Sequence, residues 1–253
     1  LRKLGDDGNA LAEWEWALRG MQDHTLLAAA ELARRNNWYD RAIATAEKTR
    51  EVHDFDLRYI APFRDLAGEY AQENGIDEAW VYGLMRQESR FMDYARSNVG
   101  AQGLMQLMPA TAKWISRQLG LGNKAHAGVG KPETNIRFGT YYLKHIFDSL
   151  SQSPVLATAA YNAGPGRARK WQAEIPLEGA IYVENIPFFE TREYVKKVLT
   201  NAMFYRNRFG GVSQPLKERL GVIPARTISI QPAQASTLAT AGQTVPSAGE
   251  PQQ

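Results

Sequence analysis

The sequence predicts an all-α protein, and three observations support that prediction. Apolar residues recur at helical spacing along most of the 253 residues. The apolar–polar alternation of a half-buried strand is missing from the N-terminal part, and the helical pattern continues from residue 65 to about residue 209. Stretches rich in glycine separate the periodic segments, as is typical of loops. The length favours one or two domains.

Composition excludes several kinds of chemistry. The chain has no cysteine, so it offers no thiol nucleophile, disulfide or thiolate metal ligand. Its four histidines lack the spacing of a zinc site. No apolar run reaches the roughly 18 residues of a membrane span, and no lysine or arginine run suggests a nucleic-acid partner. The net charge of +3 fits a polyanionic partner without identifying it.

The first 64 residues predict short helices of a solenoid. Trp14 and Leu18 recur at helical spacing, Thr25 is a predicted N-cap of a second helix, and a third helix contains Ile43. Paired short helices of this kind usually belong to arrays in which several repeats share one core. We therefore expect residues 1–64 to be the end of a longer α-superhelix and its linker.

A second helical region is predicted over residues 65–210. Its helices are expected at 77–90, 109–119, 134–150, 154–161 and 190–209, with glycine-rich loops at 100–103, 120–130 and 164–166. Beyond residue 221 charged residues nearly vanish among Pro, Ala, Ser, Thr and Gln. Residues 211–253 are therefore a predicted C-terminal extension that is flexible from about residue 222.

Glu88 is the candidate for acid–base chemistry. On the predicted helix 77–90 it falls on the same apolar face as Leu84, in the last turn, where the helix dipole disfavours a negative charge. Both effects favour the neutral carboxyl and raise its pKa, which suits a general acid. The alternative is a structural carboxylate that pairs with Arg86 or Arg90.

Four sequence blocks, taken together and in order, form a pattern that is highly specific for one protein family. They read Arg86-Gln87-Glu88-Ser89-Arg90-Phe91, then Ser97-Asn98-Val99-Gly100-Ala101-Gln102-Gly103-Leu104-Met105-Gln106-Leu107-Met108-Pro109, then Ala160-Tyr161-Asn162-Ala163-Gly164-Pro165-Gly166, and last Ile186-Pro187-Phe188-Phe189-Glu190-Thr191-Arg192-Glu193-Tyr194-Val195. With this set the chain resembles the soluble lytic transglycosylase family of peptidoglycan-cleaving enzymes from about residue 11 to residue 209. The resemblance implies a goose-type lysozyme-like catalytic domain over residues 65–210, preceded by the last superhelical repeats.

The resemblance also implies roles for individual residues. Glu88 matches the single catalytic acid and base. Six further positions match the substrate groove: Ser97 near the N-acetyl group, Gln106 and Met108 beside the acid, Tyr161 with its hydroxyl toward the glutamate and sugar, Asn162 at that helix end, and Glu190 as a second carboxylate. Glu190 fits equally well as a carboxylate that is stabilised by a helix N-terminus. Asp93 is expected on a loop outside the chemistry.

The implied reaction is a lyase without metal or cofactor. Glu88 protonates the bond between N-acetylmuramic acid and N-acetylglucosamine, the muramoyl acetamido group assists, and the C6 hydroxyl closes a 1,6-anhydro end. The resemblance further implies a periplasmic monomer that acts on glycan strands, with wall or secretion-machinery proteins as partners of the N-terminal helices. Since the chain starts at Leu1, we expect it to be the C-terminal portion of a longer exported enzyme.

Two other functions stay open at this stage. A lysozyme-type hydrolase would use water in place of the C6 hydroxyl and would need a second carboxylate, for which Glu190 is the candidate. A non-catalytic wall-binding scaffold is the second alternative. The presence of Glu88, Ser97, Gln106 and Tyr161 together argues against a scaffold.

Overall fold

A computed structural model describes residues 1–122, 125–212 and 214–226, and the all-α prediction is confirmed. The helices are α1 (Asp7–Ala17), α2 (Asp23–Arg35), α3 (Tyr39–Ala46), α4 (Phe55–Arg58), α5 (Arg64–Asn74), α6 (Glu78–Ser89), α7 (Pro109–Gln118), α8 (Pro132–Ser149), α9 (Pro154–Ala163), α10 (Pro165–Lys170), α11 (Gly179–Glu184), α12 (Phe189–Arg208) and α13 (Leu216–Leu220). A short antiparallel pair joins β1 (Leu177–Glu178) to β2 (Val222–Ile223). Single 3₁₀ turns lie at Arg2–Leu4 and Ala125–Gly128.

Local signals place several helix starts correctly. The Asp77 carboxylate accepts the backbone N–H of Ala79 at 2.9 Å, which confirms the predicted start of α6. Pro109 occupies the first turn of α7, as predicted. The helix α8 begins two residues before its predicted start because Pro132 takes the same role there.

The predicted N-cap at Thr25 is wrong. The helix α2 begins at Asp23, so Thr25 lies inside its first turn. The Asp23 carboxylate instead accepts backbone N–H groups from Arg50, Glu51 and Val52 at 2.7–3.1 Å. This side chain fixes the segment that follows α3 rather than the start of its own helix.

The end of the described chain also differs from its prediction. Val222–Ile223 pair with β1, Ile223 is buried, and the Arg226 N–H donates to Ala173 O at 2.8 Å. Flexibility from residue 222 is therefore wrong for residues 222–226. The rest of that predicted extension, 227–253, lies outside the described residues.

The centre of the core is the packing of α6 against α12. Their backbones approach closely at Gly83, where a Cβ atom would lie 2.6 Å from Val198 O and 2.8 Å from Ala202 N. Buried side chains from α5, α8 and α9 surround this pair. Only glycine fits at position 83, so this contact sets the separation of the two helices.

The N-terminal helices rest on this core. The helices α2 and α3 pack on each other around a small cluster of Ala30, Ala46 and Leu57. Ile43 and Ile60 instead belong to the main cluster of buried residues. The two regions therefore share buried apolar surface. Among the described helices, none is both long and apolar enough to cross a membrane.

Candidate active site

Glu88 lies in the last turn of α6 and faces α12. The Tyr194 hydroxyl donates a hydrogen bond to Glu88 Oε1 at 2.5 Å. Arg86 and Arg90 contact Glu47 instead, at 2.7 Å and 3.1 Å. The structural alternative, in which Glu88 pairs with one of these arginines, is therefore wrong, and this carboxyl is available for chemistry.

Burial dominates the electrostatics of Glu88. Removal from water raises the pKa of this carboxyl to about 7, since the charged form loses its hydration. The hydrogen bond from Tyr194 opposes the shift because it favours the carboxylate, and the nearby charge of Glu190 adds to it. The result is a carboxyl group that can both give and take a proton near neutral pH.

The charge of Glu88 also acts on a second tyrosine, Tyr161. It lies on α9, and burial together with the charge of Glu88 raises its pKa. Its hydroxyl donates to Met105 O at 2.9 Å rather than to Glu88. The Tyr161 hydroxyl, which the resemblance directs toward the glutamate and sugar, thus secures the loop that precedes α7.

That loop is organised by a buried asparagine. Asn135 on α8 accepts from Met105 N at 2.7 Å and donates to Gln102 O at 2.8 Å and Val129 O at 2.7 Å. Gly103 has a φ of +75°, and a Cβ there would lie 2.4 Å from Asn135 Nδ2. Glycine is thus required for both the backbone conformation and the close approach.

Two predicted groove residues help to hold the same loop. Gln106 has a φ of +45°, and its side-chain amide donates to Gly103 O at 2.8 Å and Ala95 O at 3.2 Å. The Ser97 hydroxyl oxygen accepts from Ala101 N at 2.9 Å. The side chain of Met108, in contrast, is 40% exposed where α7 begins, whereas Met105 is buried.

The start of α12 brings the remaining predicted residues to the site. Glu190 lies exposed in its first turn, where the helix dipole favours a negative charge, and one helical turn before Tyr194. Asn162 Oδ1 accepts from Thr191 Oγ1 at 2.7 Å and ties the end of α9 to α12. Asp93 is exposed on the loop after α6.

Three family models match the chain. The Transglycosylase SLT domain matches residues 65–178, the Soluble lytic transglycosylase helical domain residues 185–214, and the Soluble lytic murein transglycosylase L domain residues 1–51. The chain belongs to the soluble lytic transglycosylase family. The resemblance of the four sequence blocks is thereby confirmed.

Similar proteins agree with this family. A soluble lytic murein transglycosylase from Salmonella typhimurium is 32% identical over 81% of this chain and 32% of its own length. The structure of lytic transglycosylase Slt from Pseudomonas aeruginosa, an inactive glutamate-to-glutamine mutant, has a TM-score of 0.77 and 39% identity over 85% of this chain and 35% of its own. The 70 kDa soluble lytic transglycosylase of Escherichia coli has a TM-score of 0.72 and 31% identity over 85% and 34%. The chain spans about a third of these transglycosylases.

Sequence reasoning assigned no role to Tyr194, the residue that bonds Glu88. It stands within the fourth block, four residues after Glu190, and that spacing was the available signal because both side chains share one helix face. Its contact with Glu88 spans 106 residues of sequence. In this transglycosylase family member, pairing across such a distance depends on how α6 and α12 pack.

The Tyr194→Phe change is expected to raise the pKa of Glu88 further, by about one unit. The Tyr194 hydroxyl stabilises the carboxylate form of Glu88 by donating a hydrogen bond to it, so removal of this hydroxyl favours the neutral acid. Titration of isotope-labelled glutamate carboxyls by NMR measures the shift. Tyr161→Phe is the matched control and should move this pKa less, because that hydroxyl bonds Met105. An unchanged or lowered pKa in Tyr194→Phe would contradict the assignment.

Proposed function

We propose that this protein is a peptidoglycan lytic transglycosylase that cleaves the bond between N-acetylmuramic acid and N-acetylglucosamine and leaves 1,6-anhydro ends. The observation that supports it most directly is the Glu88 carboxyl, whose pKa is raised to about 7 and whose one oxygen is held by Tyr194. The family match and the inactive glutamate mutant of the Pseudomonas relative agree with a catalytic glutamate.

Glu88 acts twice in the proposed reaction. As a neutral acid it gives its proton to the glycosidic oxygen while the bond from that oxygen to C1 of the muramoyl sugar breaks. The acetamido oxygen of the same sugar bonds to C1 and stabilises the developing charge. The Glu88 carboxylate then takes the C6 hydroxyl proton as that oxygen displaces the acetamido group from C1. No water enters, and the acid is regenerated.

The nearby groups suit these two roles. A pKa near 7 places both protonation states within reach at neutral pH. Tyr194 stabilises the carboxylate that forms after the first proton transfer. Ser97, Gln106, Met108, Tyr161, Asn162 and Glu190 are the proposed substrate-binding residues, and no step of this chemistry uses a metal or cofactor.

The cellular setting is part of the proposal. Glycan strands of peptidoglycan are the proposed substrate, and the enzyme is proposed to act on them in the periplasm as a monomer. Residues 65–210 form the proposed catalytic domain, and 1–64 the end of a superhelix. The exposed side chains of Trp16 and Leu32 support the N-terminal helices as a surface for wall or secretion-machinery proteins.

Product analysis tests the reaction. Purified peptidoglycan is digested in water enriched in heavy oxygen, and the released muropeptides are separated and weighed by mass spectrometry. We expect 1,6-anhydro ends without heavy oxygen, since the attacking oxygen comes from the sugar. Reducing ends that carry the label would establish the hydrolase instead, with Glu190 as the residue that positions water. Absence of any cleavage would favour the scaffold.

A further inference from the structure

A carboxylate from the N-terminal helices holds the last turn of the helix that carries Glu88. Glu47 follows the last residue of α3, and its two oxygens contact Arg86 Nη2 at 2.7 Å and Arg90 Nη1 at 3.1 Å. Arg86 and Arg90 are four residues apart, so they share one face at the end of α6 and bracket Glu88 in sequence. One carboxylate thereby joins two points of this turn to another part of the fold.

The stability of α3 does not explain this carboxylate. Glu47 stands at the C-terminal cap of α3, where the helix dipole disfavours a negative charge. The two guanidinium groups offset that disfavoured charge. They also lie at the C-terminal end of α6, where positive charge is favoured. The charges of this contact are therefore favourable at the end of α6 and unfavourable at the end of α3.

Arg86 is the more tightly held of the two arginines. Its side chain is 10% exposed, Nε donates to Arg58 O at 3.1 Å, and Nη1 donates to Asn201 Oδ1 at 3.2 Å. Its guanidinium also lies 4.6 Å from the ring centre of Tyr59. A cation removed from water needs a charged partner, and Glu47 is the carboxylate that it contacts. Without that charge, the turn that carries Arg86 must move to restore hydration.

The backbone after Glu88 is unusual and needs support. Arg90 has a φ of +49° and Phe91 a φ of +64°, both left-handed without being glycine. Such residues persist only where the surroundings enforce them. Ser89 supports the turn by accepting Phe91 N at 3.1 Å and donating to Leu104 O at 2.8 Å. Glu47 supports it through the Arg90 guanidinium.

We propose that Glu47 is a positioning residue: through Arg86 and Arg90 it fixes the last turn of α6 and hence the place of the Glu88 carboxyl in the cleft. This proposal rests on the proposed function. Because a catalytic group displaced by 1 Å can lose about 10²-fold in rate, the N-terminal helices then contribute to the chemistry without touching the substrate.

Steady-state kinetics on purified peptidoglycan test the proposal. Glu47→Gln keeps the size of the side chain and removes its charge, and we expect kcat to fall by about tenfold with KM within about twofold of wild type. Arg90→Asn removes the second contact with a residue that tolerates the left-handed backbone, and we expect about a fivefold loss of kcat. Glu47→Asp keeps the charge and should recover part of the Glu47→Gln loss.

Asp56→Asn is the matched control. It removes the contact between Asp56 on α4 and Arg208 on α12, which also joins the N-terminal helices to the main core but does not touch α6. Its kcat should stay within about twofold of wild type, because surface ion pairs contribute little. Thermal unfolding of each variant shows whether a loss of kcat follows from a loss of folded protein.

The outcomes separate this proposal from the proposed function. If wild type releases no anhydro ends, the proposed function fails. If wild type is active and Glu47→Gln keeps its kcat, changes only KM, or matches Asp56→Asn, the positioning role alone is overturned. If Glu47→Gln does not fold, Arg90→Asn decides by the same criteria.

Discussion

The Glu88→Gln variant is expected to release anhydro ends about 10³-fold more slowly than wild type. Glutamine has nearly the same shape but can neither give a proton to the glycosidic oxygen nor take one from the C6 hydroxyl. The rate is measured by chromatography of muropeptides from purified peptidoglycan. Thermal unfolding of the same preparation establishes that the loss does not come from misfolding.

Glu190→Gln is the matched control for that loss. Glu190 is exposed in the first turn of α12, and its charge acts on Glu88 without replacing it. In the proposed lyase this change should cost less than about tenfold, since it removes a neighbouring charge and a binding contact but no proton transfer. Equal losses in the two variants would contradict a single catalytic glutamate.

The same Glu88→Gln change is expected to stabilise the fold at pH 8. Burial raises the pKa of this acid from 4.5 to about 7. The stability that neutral Glu88 contributes is therefore lost as the pH rises from about 4.5 through about 7. At pH 8 the wild type holds a buried charge that glutamine lacks, and we expect a gain of about 2 kcal/mol in the free energy of unfolding. Near pH 4 the two proteins should be equally stable. A gain of equal size at both pH values would show that charge is not the cause.

The Asn135→Ala change is expected to lower the free energy of unfolding by about 3–5 kcal/mol. Asn135 is completely buried and bonds three backbone groups, Met105 N, Gln102 O and Val129 O. Its removal takes one bond from each of these groups: Gln102 O keeps a bond from Leu107 N at 3.0 Å, whereas Met105 N, which is buried, loses the Asn135 acceptor. Urea unfolding measures the loss.

Asn98→Ala provides the comparison for Asn135. Asn98 is an exposed asparagine on the same loop, between α6 and α7. Its replacement should change stability by no more than about 0.5 kcal/mol. If the two variants lose the same stability, the bonds made by Asn135 are not what holds the loop.

Much of the fold could be predicted because its signals are local. Asp77 and Pro109 mark helix starts by bonding or constraining residues within one turn. The prediction at Thr25 failed where a neighbouring carboxylate, Asp23, serves a distant segment. The helix α11 and the strand pair were missed because they depend on contacts such as Gly179 N to Gly221 O at 2.7 Å, which no local pattern reveals.

In the site, too, the features that depend on one helix could be predicted and those that depend on packing could not. The face and dipole position of Glu88 could be judged from one helix, and the raised pKa agrees with that reasoning. Arg86 could have been excluded as its partner, since residues two apart on a helix do not face each other. Glu47 and Tyr194, the true partners of these groups, lie on other helices and become neighbours only through packing. Gln106 has a left-handed backbone, and its side-chain amide bonds Gly103 O of its own loop, a contact that local helix patterns do not reveal.

The missing Cβ at Gly83 also governs how the site can move. Packed helices usually adjust by small sliding motions against each other. At this point backbone atoms of α6 and α12 already meet without a side chain between them, so a slide would drive one main chain into the other. We therefore expect Glu88 and Tyr194 to keep their relative positions when the rest of the site moves. In the proposed reaction, adaptation then falls to the loops around them and to the ring conformations of the bound sugar.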